Sequence, residues 1–140
     1  MTEFRAYMAT LDYQQKLIAC APMYHKLQGI LQIRITGALD KNVSEAEIRR
    51  IGNSFFQNRY RHEALLLLAD RRSEHDIYRV AYRRSAGLDM EDWNQFRRYC
   101  VEGLNQDLHG NGQLSYLLEP AKDRAYRAYD KILRTRDIVQ

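Results

Sequence analysis

Apolar positions recur every three to four residues along nearly the whole chain, the period of a helix with one buried face. Phe4, Tyr7, Met8, Leu11 and Ile18 follow it, behind a start signal at Thr2 and Glu3, and predict a first helix reaching about Cys20. Pro22 ends that helix or opens the next. Met23, Leu27, Ile30 and Leu31 keep the helical period, with Gly37 as a stop. Leu31, Ile33 and Ile35 also alternate with Gln32, Arg34 and Thr36, as a strand would. No second stretch offers such a strand a partner, so helix is the favoured reading.

A loop at Asp40-Lys41-Asn42 precedes Ser44 and Glu47, which have the spacing of a capping box. Ile48, Ile51 and Phe55 share a face after it, and Ala64, Leu65 and Leu68 continue inward over 60–71. Asn58 either interrupts this segment or sits inside one long helix. The four leucines 65–68 cover most of a helix circumference and predict a central element touched from several sides. Ser73 and Asp76 resemble a cap for a helix carrying Ile77, Val80 and Ala81, with Gly87 as its stop. Asp89 caps the next, whose stripe is Met90, Trp93, Phe96, Cys100, Val101, Leu104 and Leu108. Gly110-Asn111-Gly112 reads as a turn. A short segment at 113–119 leads to Pro120, suited to a helix start, and Ala121, Ala125, Tyr129, Ile132 and Leu133 dock the last helix. The expected fold is all-α, a compact bundle of six or seven helices forming one domain over residues 1–140.

Composition narrows the class. The chain has 140 residues, 45% hydrophobic and 29% charged, enough for one real core. Two prolines and seven glycines are few for an all-β chain. The longest apolar run, residues 64–69, is far short of the roughly 20 residues that cross a membrane. Glu3, Arg5 and Asp12 break a signal-peptide pattern, so a cytoplasmic protein is expected. Cys20 and Cys100 are then expected to be reduced, buried thiols.

Charge changes the picture more than size does. Arginine outnumbers lysine 17 to 5, and the formal net charge is +4. The excess is local: residues 49–84 hold nine arginines against four acids. Arginine's planar fork suits phosphate and carboxylate, and tyrosine rings stack on bases. Several arginines neighbour tyrosines, as in Arg59-Tyr60-Arg61 and Tyr82-Arg83-Arg84. Arg79 and Arg83 share a helix face with Tyr82, and Arg71 and Arg72 lie just upstream. Arg124, Arg127, Lys131 and Arg134 form a second basic stripe. Arg59, Arg61, Arg71, Arg72, Arg79, Tyr82, Arg83, Arg84, Arg124, Arg127, Lys131 and Arg134 are therefore the candidate binding residues. Nearby acids such as Glu63, Asp70, Asp123 and Asp130 can neutralise part of both stripes, the ordinary state of a solvated helix face.

Other chemistry is poorly supplied. A helix-turn-helix across Gly87 would place Asp89, Glu91 and Asp92 against the DNA backbone. His62, His75 and Asp76 are the nearest approach to a metal-dependent phosphohydrolase, without distinctive spacing. No HExxH, phosphate-binding glycine loop or GxSxG motif occurs. The leading expectation is a non-enzymatic module without cofactor or metal. It contacts the backbone of RNA or single-stranded DNA, or sits in a ribonucleoprotein. The alternative is a small inhibitor, adaptor or assembly subunit that binds an acidic protein surface. No membrane contact is expected.

Overall fold

The computed structural model describes residues 3–139. The described residues form seven α-helices and two short 3₁₀ turns, with no strand. The all-α expectation holds, and the ambiguous stretch 29–36 lies inside a helix. Thr2 lies outside the described residues.

The expected first helix is two: α1 (Glu3–Ala9) and α2 (Tyr13–Ala19). Asp12 accounts for the break. Its carboxylate accepts from the Gln15 amide, and the Gln15 side chain accepts from the Asp12 amide, so a new helix starts there. α3 (Ala21–Asp40) begins at the Pro22 signal and runs past Gly37. α4 (Glu45–Arg71) is uninterrupted, with Asn58 inside it; its 27 residues span about 40 Å. Ser44 Oγ accepts from the Glu47 amide and starts it.

Ser73 does not cap α5 (His75–Arg84): its φ is +55°, and Glu74 precedes the helix without a side-chain cap. A 3₁₀ turn, Ser85–Gly87, follows α5. Asp89 caps α6 (Met90–Leu108) by accepting from the Asp92 amide. Met90 faces solvent rather than joining the buried stripe. A second 3₁₀ turn, Ser115–Leu117, runs into α7 (Leu118–Val139), with Pro120 in its first turn.

α4 is the spine, packed along its length against α3 and α7. α5 closes over α2, α3 and α4, while α6 lies against α2 and the second 3₁₀ turn. The larger core joins Leu17, Ile18, Tyr24, Leu65, Leu68, Leu104, Leu108 and Leu117. A smaller one, Leu31, Ile35 and Phe55 with Tyr129 and Ile132 against it, fills the far end between α3, α4 and α7.

The cysteines correct the expectation of free thiols. Cys20, between α2 and α3, and Cys100 in α6 form a disulfide, with their Cα atoms 6.2 Å apart. Alternation and capping carry no information about a partner 80 residues away, and the pairing exists only once α6 packs beside the α2–α3 junction. No helix among the described residues is long and apolar enough to cross a membrane.

Candidate functional site: an arginine-rimmed groove

Most of the candidate arginines are engaged within the protein. Arg59 Nε donates to Glu63 Oε1 at 3.1 Å, and Arg124 reaches the other Glu63 oxygen at 3.6 Å. Arg72 pairs with Asp12 at 2.9 Å and lies 3.5 Å from Glu74. Arg84 is 3.8 Å from Glu3 and stacks over Tyr7. Arg127 pairs with Asp123 at 2.8 Å, and Arg134 with Asp130 at 2.9 Å. Arg71 lies over the Tyr116 ring at 4.7 Å. Lys131 lines a shallow hollow with Gln32, Thr36 and Arg59, apart from α5. The proposed patch is thus several separate sites rather than one field.

Tyr82 is drawn inward. His62 Nε2 lies 2.6 Å from the Tyr78 hydroxyl and 3.1 Å from that of Tyr82, and the two hydroxyls are 3.0 Å apart. Burial first, then the charges of Arg59 and His25, holds the His62 imidazole down at about 4. Burial pushes both tyrosine hydroxyls up. At neutral pH this is a neutral, hydrogen-bonded cluster with no ionised nucleophile or base. His75 instead pairs with Asp70 at 3.1 Å. No group of three or more His, Cys, Asp or Glu among the described residues is placed to hold a metal.

Apart from Arg71, and from Arg79 and Arg83 on α5, the arginines without an ion pair among the described residues gather at one groove. α3, α4 and α6 enclose an open groove of about 840 Å³. Met23, Leu27, Ile30 and Leu31 from α3 and Val101 from α6 give it an apolar floor. Arg34 from α3, Arg61 from α4 and Arg97 and Arg98 from α6 rim it, with Glu102 as the acid among its lining residues. Arg34, Arg97 and Arg98 are exposed and make no ion pair among the described residues. Arg61 Nε donates to Asn105 Oδ1 at 2.9 Å, which aims it without neutralising it.

The floor is braced by a buried amide pair. Asn58 Nδ2 donates to the Tyr24 carbonyl and to Gln28 Oε1, each at 2.9 Å. This fixes α4 against α3 beneath the groove. The Tyr24 hydroxyl is buried without a hydrogen-bond partner, and its ionisation is pushed up by that burial.

Only Arg61 of the groove was among the residues expected from sequence. Arg34, Arg97 and Arg98 lie outside the charge-dense segment that drew attention. Arg34, Arg61 and Arg97 have no acid three or four residues away in either direction, whereas Arg59, Arg127 and Arg134 have at least one and pair with it. Spacing alone does not mark the groove, since Arg5, Arg84 and Arg124 also lack such an acid and pair across the fold, and Arg98 has Glu102 four residues on without pairing to it. Comparison of the chain with protein-family models, curated proteins and solved structures gives no match.

Proposed function

We propose that the protein is a non-enzymatic binding module, an adaptor or assembly subunit that seats an acidic, amphipathic helix of a partner protein in the α3–α4–α6 groove. The observation that carries this reading is the convergence of four arginines from three helices around an apolar floor. A docked helix lays an apolar stripe into such a groove. Its flanking carboxylates meet guanidinium forks, whose paired hydrogen bonds add direction to charge.

Two further observations favour a protein partner over nucleic acid here. Among the described lining residues of the groove the aromatic one is Tyr24, and its ring is buried rather than presented for base stacking. The Cys20–Cys100 disulfide is the form that oxidising compartments maintain, which supports such a location over the cytoplasm.

The test is titration of the oxidised protein with a synthetic helix bearing leucines at i, i+3, i+4 and i+7 and flanking glutamates. The wild type is expected to bind at micromolar concentration, and Arg34→Ala with Arg97→Ala to lose about tenfold, since exposed ion pairs contribute up to about 1 kcal/mol each. Equal affinity in the double variant overturns the assignment.

A second reading, contact with the backbone of RNA or single-stranded DNA, is favoured by a different face. Arg79 and Arg83 stand one turn apart on exposed α5, without an ion pair among the described residues. If they hold phosphates, replacing both with alanine reduces the salt slope of binding by about one to two. An unchanged slope removes this reading.

A further inference from the structure

The groove's two outer walls are joined by a covalent bond beside it, and we propose that this bond is a redox latch: the oxidised chain docks its partner, and the reduced chain does not. The inference rests on reading the groove as a docking site.

Cys20 is the residue that α3 starts from, and Cys100 lies within the stretch of α6 that lines the groove. Met23 is three residues after Cys20, Arg97 is three before Cys100, and Val101 follows Cys100 directly. The bond therefore sets how far the α6 wall stands from the α3 wall. Lys26 over the Trp93 ring, at 5.5 Å, adds a weak tie between the same helices. Other ties of α6 run elsewhere. Phe96 meets Phe4 edge-on, Asp92 pairs with Arg5 at 2.7 Å, and the Tyr13 hydroxyl donates to the Gly103 carbonyl at 3.4 Å. Opening the disulfide leaves α6 attached to α1 and α2, and to α4 through Arg61–Asn105. The helix still meets α3 through the shared core at Leu104 and the weak Lys26–Trp93 contact, but without a covalent limit on how far its 94–102 stretch stands from α3. Arg97, Arg98 and Val101 then lose their set distance from Leu27, Ile30 and Arg34, and a rigid helix no longer engages both walls.

The chemistry requires a dithiol reductant. Cys20 is 4% exposed and Cys100 0%, so attack falls on the Cys20 sulfur after local opening of α6. The reductant's thiolate bonds to Cys20, and Cys100 leaves as a thiolate and takes up a proton. The reductant's second thiol then displaces Cys20, closing the reductant's own disulfide. Two electrons and two protons pass to the protein, which ends with two thiols.

The experiment uses the whole chain and the same leucine–glutamate helix as probe. Its binding is followed by calorimetry before and after dithiothreitol, with Cys20→Ser/Cys100→Ser as the permanently open form. Amide hydrogen exchange is recorded on both redox forms. The expected result is at least a tenfold loss of affinity on reduction, with faster exchange over residues 94–102 and unchanged exchange in α4. Affinity unchanged within twofold overturns the latch. So does exchange that accelerates equally in α4 and α6, because the bond is then a general staple. If the oxidised protein already ignores the probe, the docking reading has failed and the latch fails with it.

Discussion

His62 shows how one side chain ties stability to pH. Buried at 7% exposure among Tyr78, Tyr82 and His25, it stays neutral down to about 4 in the fold, while in the unfolded chain it takes a proton near 6.5. Between those values the unfolded state binds more protons, so stability falls as pH drops through this window. The span corresponds to about 3 kcal/mol. Urea midpoints measured from pH 7 to 4 are expected to decline, and His62→Gln to flatten that decline while lowering the plateau at pH 7. A wild-type midpoint that stays level from pH 6.5 to 4.5 contradicts this account. The lowered acids Asp12 and Glu47, held down by Arg72 and Arg50, lose their contribution as pH falls from their ordinary values of 3.8 and 4.5, so Glu47 adds to the decline at the bottom of that range and Asp12 below it.

At the scale of elements, the α4–α7 crossing depends on a missing side chain. A Cβ on Gly52 would run into the ring and hydroxyl of Tyr129, which itself packs on Phe55. Gly52→Ala is therefore expected to destabilise by about 1–3 kcal/mol, the usual result of overpacking. Gly52→Ala with Tyr129→Phe recovers part of the loss, because the hydroxyl is the nearest obstacle. Thermal melts of the three variants check it, and an unaltered single variant would show that the ring yields freely. Elements were well read where the signal is local. Asp89 caps as its spacing suggests, Ser44 makes its half of the expected capping box while Glu47 turns to Arg50, and the α6 stripe holds except at Met90. The α1–α2 break was missed because helical periodicity continues across Asp12, while the Asp12–Gln15 pair that interrupts it is only a cap. The groove was missed for a related reason. It depends on which faces of α3, α4 and α6 end up opposite one another, and linear charge density is blind to that.

For the molecule as a whole, the segment between Cys20 and Cys100 contains α3, α4 and α5 entire, leaving α1, α2 and α7 outside it. Closing so long a loop restricts the unfolded chain, which the entropy model values at about 4 kcal/mol. The same topology has a consequence for cleavage. The end of α4 and the turn that follows are exposed at Arg71 and Ser73, within the closed loop. A protease nick there breaks the chain but not the molecule. The clipped protein is expected to run near full length on a denaturing gel without reductant, and at about half that length after reduction. Half-length pieces under both conditions would mean that they were never linked. A protein wired in this way keeps its α3 and α6 walls together through a backbone cut, and its halves part only when the disulfide is lost as well.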